Sequence, residues 1–92
     1  MPHNQMNLAR LMNCVLIAYL DNGGEMDNQA LLNYVRPIIT SEYNVDRKNL
    51  GRHLVDARNG LHARRLIEKV NDNPGAWRLT TLGVSRAQFV DC

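Results

Sequence analysis

The sequence has no long apolar run and little cysteine, which excludes several classes of protein. Its longest apolar stretch, Val15–Leu20, is far shorter than the about 20 residues that span a membrane, so we expect no membrane partner. No charged segment followed by an apolar one opens the chain, so we expect no signal peptide. The two cysteines are Cys14, inside an apolar segment, and Cys92. They predict no disulfide framework, an exposed thiol at Cys92 and a reducing, cytoplasmic setting.

Motifs of catalysis and metal binding are also missing. His3 lies in a polar segment at the start, and His53 and His62 lie in a basic stretch without a neighbouring nucleophile pattern. There are no paired carboxylates, no nucleophile elbow and no glycine-rich phosphate loop. The cysteines and histidines do not have the spacing of zinc ligands. We therefore expect no enzyme, no bound metal and no cofactor.

Repeats, low-complexity tracts and linkers are absent, so the 92 residues predict one domain, with 1–5 frayed. The formal net charge is only +2, but the cations are unevenly distributed. Up to Thr40 they are Arg10 and Arg36 alone. A basic segment favours an anionic partner, and a solvated face without a partner is the alternative. The segment from Arg47 to Lys69 has two acids, Asp56 and Glu68, against Arg47, Lys48, Arg52, Arg58, Arg64, Arg65 and Lys69.

Two helices are predicted in the first half of the chain. Apolar residues at three- and four-residue steps predict the first, from about Gln5 to Leu20. Asp27 is the expected N-cap of the second. Pro37 should stop or kink that helix near Arg36, because proline lacks the amide hydrogen. Ile38 and Ile39 are then expected in the core, and residues 40–44 in a polar turn. The buried stripe of the first helix is Leu8, Leu11, Met12, Val15 and Tyr19.

A second apolar surface is expected on the first helix. Ile17 lies about half a turn from the buried stripe, Met6 falls near Ile17, and Cys14 and Leu20 flank it. These four residues predict the interface of a homodimer. Packing of the same side against a C-terminal helix is the alternative, with equal weight.

A third helix from the Asp46 cap to about Ala63 has the clearest periodicity in the chain. Leu50, Leu54, Ala57 and Leu61 fall within a narrow arc and are expected to face the core. The opposite face of this helix consists of Lys48, Arg52, Val55, Asp56, Asn59 and Ala63.

The rest of the chain predicts a hairpin and a last helix. Leu66–Val70 and Ala76–Thr80 are expected strands, joined by turn formers at 71–75. Trp77 is expected in the core under the hairpin. The fold class is therefore mainly α with a small β-hairpin, in the order helix-helix-helix-strand-strand-helix. The last helix should begin after Thr80 or Thr81 and contain Leu82, Val84, Ala87 and Phe89.

This region also matches a known motif. Leu61 is followed by Arg65-Leu66-Ile67, then the turn, then Trp77-Arg78-Leu79-Thr80-Thr81-Leu82-Gly83. It resembles the winged helix-turn-helix superfamily. In that pattern a leucine is followed by three residues and then by Gly-Leu-Ile. A short wing comes next, and after it an aromatic residue, an apolar residue and Leu-Thr. Arg65 stands where that pattern usually has glycine.

Within the superfamily, the chain most resembles the N-terminal DNA-binding domains of Mrr-type restriction endonucleases. The similarity lies in Ile39-Thr40-Ser41-Glu42, the polar approach to the third helix and Gly75-Ala76-Trp77-Arg78-Leu79-Thr80. Small regulators of the MarR and PadR kind share the wing pattern. The nuclease chemistry of the Mrr type belongs to a separate domain, so the resemblance implies no nuclease activity.

The resemblance implies binding of double-stranded DNA, with the third helix in the major groove. The residue types on its outer face agree, because arginine can pair with guanine, asparagine with adenine, and a small apolar group with the thymine methyl. Phosphate contacts are expected at the flanks, at the junction after the helix and on the wing, although turn formation is an alternative role for Asn73. The expected DNA-binding residues are Arg47, Lys48, Arg52, Val55, Arg58, Asn59 and His62, then Arg64, Arg65, Lys69, Asn73 and Arg78.

The sequence is compatible with three functions. The first is a homodimeric transcription regulator that reads two half-sites. The second is a winged-helix adaptor that binds another protein. The third, which rests on fold-level analogy, is an accessory subunit of a restriction or phage-defence system.

Overall fold

The computed structural model, which describes residues 4–45 and 47–92, contains four helices and a small three-stranded sheet. The predicted class, mainly α with a small sheet, is confirmed. The elements in chain order are β1 (Asn4–Gln5), α1 (Leu8–Asp21), β2 (Glu25–Asp27), α2 (Asn28–Glu42), β3 (Tyr43–Asn44), a 3-10 turn (Arg47–Asn49), α3 (Leu50–Ala63), β4 (Ile67–Lys69), β5 (Ala76–Leu79) and α4 (Thr81–Ala87).

The first helix begins later than the sequence predicted. The Asn7 side chain accepts a hydrogen bond from the Arg10 N–H at 2.8 Å, which caps α1 at Leu8 and not near Gln5. Asn4–Gln5 instead pairs in parallel with Tyr43–Asn44, so the predicted fraying is wrong for these two residues. At the other end, Gly23 and Gly24 have positive φ angles and turn the chain into β2.

The second helix continues through Pro37, which contradicts the predicted stop near Arg36. Its N-cap is Asp27, as predicted, because that side chain accepts from the Ala30 N–H at 2.7 Å. Beyond the proline, Ile39 is fully buried, whereas Ile38 is 40% exposed. One more helical turn buries Ile39, and the free energy of that burial outweighs the hydrogen bond that proline cannot donate. The predicted polar turn at 40–44 is therefore helix to Glu42 and strand after it.

The sheet is antiparallel, in the order β2-β5-β4. The predicted hairpin is present as β4 and β5, each slightly shorter than expected. β2 was not predicted, because its three residues are too short for a visible alternation. Its register pairs Met26 with Trp77 and Glu25 with Arg78. Trp77 is buried, as predicted.

The core centres on α1, which packs against α2, α3 and α4. Val15 and Tyr19 are fully buried, and so is the predicted stripe of α3. Leu8, which was placed in the buried stripe, is half exposed. The predicted Asp46 cap of α3 lies outside the described residues. The four α3 side chains of that stripe, each at most 1% exposed, are Leu50, Leu54, Ala57 and Leu61.

The last helix begins after Thr80, whose side chain accepts from the Gly83 N–H at 3.0 Å. It ends at Ala87, so the prediction that it contains Phe89 is wrong, and Phe89 is 83% exposed. Among the described residues, no helix is long and apolar enough to cross a membrane.

A disulfide joins Cys14 to Cys92, with the two Cα atoms 4.5 Å apart. The predicted absence of disulfides and the predicted free thiol at Cys92 are wrong. Cys14 is 4% exposed on α1, and the chain after α4 brings Cys92 back to it. The expectation of a reducing compartment rested on the absence of a disulfide, so that reason no longer applies.

We predict that breaking this disulfide lowers the free energy of unfolding by about 2–4 kcal/mol, because the bond closes a long loop and restricts the unfolded chain. The two cysteines are 78 positions apart. Denaturant unfolding with and without a dithiol reductant measures the difference. The Cys92→Ser variant should match the reduced protein and should not respond to reductant. Equal midpoints for oxidised and reduced protein would contradict the disulfide.

Candidate nucleic-acid interface

The outer face of α3 and its preceding turn is an exposed polar surface. We define it by Lys48, Arg52, Val55, Asp56, Asn59 and Ala63, all of which are exposed. Val55 is 45% exposed despite its apolar side chain. The division follows from the helical period, since leucines and alanine at three- and four-residue steps occupy the side that packs on the core. The sequence therefore places its polar and basic residues on the solvent side.

Arg58 does not lie on an exposed flank as predicted. It is only 8% exposed, next to the buried stripe of α3 and close to Tyr19 of α1. The aliphatic stem of an arginine can pack along apolar surface, which accounts for the burial of a charged residue here. Burial lowers the pKa of the Arg58 guanidinium, and the nearby Tyr19 opposes part of this change. Arg58 is thus part of the packing behind the outer face.

Tyr19 is the neutral partner of this buried pair. Its ring is fully buried, and its hydroxyl makes no hydrogen bond to the described residues. Burial raises the pKa of Tyr19 to about 12, while the charge of Arg58 acts in the opposite direction. The hydroxyl is therefore protonated at neutral pH.

The end of α3 is closed by a Schellman motif. The Leu66 N–H donates to the Leu61 carbonyl at 3.0 Å, and the Arg65 N–H donates to the His62 carbonyl at 2.9 Å. Arg65 occupies the left-handed position of this motif, with φ of +60°. The arginine that replaces the usual glycine of the resembled pattern thus adopts the conformation that glycine favours.

The two arginines of the junction differ in their contacts. Arg64 folds back, and its Nη1 donates to the Gly60 carbonyl at 3.0 Å. The same carbonyl also accepts from the Arg64 backbone N–H at 3.3 Å. The side chain of Arg65 is exposed and makes no hydrogen bond or ion pair with the described residues. Only Arg65 of this pair is available to an outside ligand without breaking a contact.

Thr80 and Gly83 of the last helix hold the junction in place. The Thr80 hydroxyl donates to the Arg65 carbonyl at 2.7 Å, and the Thr80 N–H donates to the Leu66 carbonyl at 3.1 Å. Gly83 packs so closely that a Cβ there would clash with the Leu66 carbonyl. The sequence indicated Thr80 only as a helix cap, because its second contact is with a residue 15 positions away.

The hairpin brings one predicted cation towards α3. Lys69 Nζ lies 5.5 Å from the centre of the Trp77 ring, and the His62 ring meets the same ring edge-on at 5.1 Å. His62 and Lys69 are both exposed. Trp77 therefore connects the end of α3 with β4 and places two polar side chains beside the outer face.

The other predicted cation of the hairpin is offset by acids. Arg78 Nε contacts Glu68 Oε1 at 2.9 Å, and Glu25 is paired with Arg78 in the register of β2. Arg78 is therefore a weak candidate for a phosphate contact. Asn73 shapes the hairpin turn, since its carbonyl accepts from the Ala76 N–H at 3.0 Å. Both backbone groups of Asn73 thus take part in the turn, whatever the role of its side chain.

The proposed dimer residues do not form one open surface. Met6, Ile17 and Leu20 are half-buried, and Cys14 is bonded to Cys92. Cys14 was therefore wrongly assigned to an interface. Where the structure describes side chains, the large apolar ones that are most exposed are Phe89, at 83%, and Leu82, at 57%.

No cluster of three or more histidine, cysteine or acidic side chains with the arrangement of a metal site occurs within 4–45 and 47–92. Comparison of the chain with protein-family models, curated proteins and solved structures gives no match.

We predict that the wild-type protein loses stability at alkaline pH through Tyr19 and that the Tyr19→Phe variant does not show this loss. Below pH 10 the tyrosine is protonated in both states. Above it, the unfolded chain loses the proton first, because the folded pKa is about 12. Stability should therefore fall above pH 10, by about 1 kcal/mol from this group at pH 11. Denaturant unfolding at pH 8 and pH 11 measures it. The control is Tyr34→Phe, which removes a hydroxyl that contacts Asp21 on the surface, and it should show the same loss of stability as the wild type. An equal loss of stability in both variants would refute the assignment to Tyr19.

Proposed function

We propose that the protein binds double-stranded DNA with the outer face of α3 in the major groove. The observation that supports this most strongly is the division of α3 into a fully buried apolar side and an exposed side that contains Lys48 and Arg52. An α-helix fits the major groove, and one face of it reaches the base edges. A helix packed on α1 along one whole side has only its outer face available for such contact.

Three residues of the outer face have the chemistry of base recognition. Arg52 can donate two hydrogen bonds to guanine, Asn59 can donate to and accept from adenine, and Val55 can contact the thymine methyl. They follow one another at three- and four-residue steps and are all exposed. Asp56 lies among them and can accept from the amino group of cytosine, while it repels phosphate.

Backbone contacts are assigned to the cations that surround this face. Lys48 precedes the helix, and Lys69 projects from the hairpin beside His62. Lysines that approach phosphates displace counterions, which makes binding depend on salt but not on sequence. The resemblance to winged helix-turn-helix proteins supports the same arrangement, with the hairpin as the wing. The biological role that we propose is transcription regulation.

A protein-binding role is the second candidate, and it rests on a separate surface. Phe89 and Leu82 expose large apolar side chains at the C-terminal end of the fold. Exposed apolar side chains of this size are common in protein interfaces. A homodimer or an adaptor complex would use this apolar end and not the polar outer face of α3.

We predict that Arg52→Ala weakens binding to a specific duplex by about 1–3 kcal/mol if Arg52 contacts a base. The duplex is first selected from a random pool, and fluorescence anisotropy then measures its affinity and that of an unrelated duplex. The loss should be larger on the selected duplex. Arg36→Ala removes the same charge from α2, outside the proposed surface, and should leave both affinities nearly unchanged.

The wild-type result decides between the two candidates. Affinity for DNA should fall steeply as salt is raised, because phosphate contacts release counterions. No affinity at low salt, together with concentration-dependent self-association that Phe89→Ser abolishes, would refute DNA binding and favour protein binding.

A further inference from the structure

Arg65 combines an unfavourable backbone conformation with an exposed side chain. Among residues 4–45 and 47–92, it is the one non-glycine residue with a positive φ angle. L-residues are disfavoured there because the Cβ crowds the following carbonyl, whereas glycine has no Cβ. The guanidinium makes no hydrogen bond or ion pair with the described residues. Glycine at this position would therefore stabilise the chain.

The surrounding structure prevents the backbone from relaxing. Both hydrogen bonds of the Schellman motif require the left-handed turn at Arg65. The Arg65 carbonyl is held by the Thr80 hydroxyl at 2.7 Å, and the next carbonyl is held by the Thr80 N–H. The direction in which the Arg65 side chain leaves the backbone is thus fixed by α3 on one side and α4 on the other.

Strained residues with no structural benefit are typical of functional positions. We infer that the Arg65 guanidinium binds a backbone phosphate of DNA at the junction between α3 and the hairpin, which would explain an arginine at a position suited to glycine. This inference rests on the proposed function and deepens it. The neighbouring Arg64 cannot substitute without giving up its bond to the Gly60 carbonyl.

The inference predicts opposite effects of one substitution on stability and on binding. Arg65→Gly should raise the melting temperature by about 4 °C, because the left-handed strain is removed. The same variant should bind a random duplex about three- to tenfold more weakly at moderate salt, since one phosphate contact is lost. The slope of log affinity against log salt should become shallower by about 0.9.

Two further variants separate a phosphate contact from other roles. Arg65→Lys keeps the charge and the strain, so it should retain most of the affinity and the salt slope without gaining stability. Arg36→Ala removes a charge from α2, outside the junction, and should leave the salt slope unchanged. Melting is followed by circular dichroism and binding by fluorescence anisotropy on the same samples.

The outcomes distinguish this inference from the proposed function. If the wild-type protein does not bind duplex DNA at low salt, the proposed function fails. If it binds and Arg65→Gly binds equally well with the same salt slope, this inference alone is overturned. It is also overturned if Arg65→Gly binds more weakly but melts at a lower temperature, because damage to the junction would then explain the loss.

Discussion

Packing of α1 against α3 is the contact on which the rest of the structure depends. It buries the whole leucine and alanine stripe of α3 and, with it, Val15 and Tyr19 of α1. Burial of that apolar area supplies the main favourable free energy of a small domain. The same packing fixes which side of α3 faces water. The polar composition of the outer face is therefore a direct consequence of how the core is built, and any ligand of α3 must approach from that side.

The second constraint is the junction where α3 passes into the hairpin. Leu66 enters the core immediately after the left-handed turn, and Thr80 from the start of α4 binds both carbonyls of the turn. Elements that are far apart in the sequence thus meet at this junction. Trp77 adds a further link between the end of α3 and β4. The outer face, the junction and the hairpin are held in a fixed relation, as a surface that contacts a rigid duplex requires.

The sequence predicted the parts of the fold that depend on local patterns. The stripe of α3, the Asp27 and Thr80 caps and the hairpin each follow from residues within a few positions of one another. It did not predict the passage of α2 through Pro37, where tertiary burial of Ile39 outweighs a local rule. It also missed the disulfide, since nothing local links cysteines 78 positions apart. Arg58 was misassigned because it adjoins the buried stripe, where a long stem can pack inward.

The central claim is that the outer face of α3 is the surface that contacts duplex DNA. Titration of isotopically labelled protein with a duplex, followed by two-dimensional NMR, tests it most directly because every amide reports separately. The account predicts that shifts concentrate at Lys48, Arg52, Val55 and Asn59, extend to Arg65 and Lys69, and leave α4 unchanged. Shifts confined to α4 and the segment around Phe89, or no shifts at low salt, would contradict it.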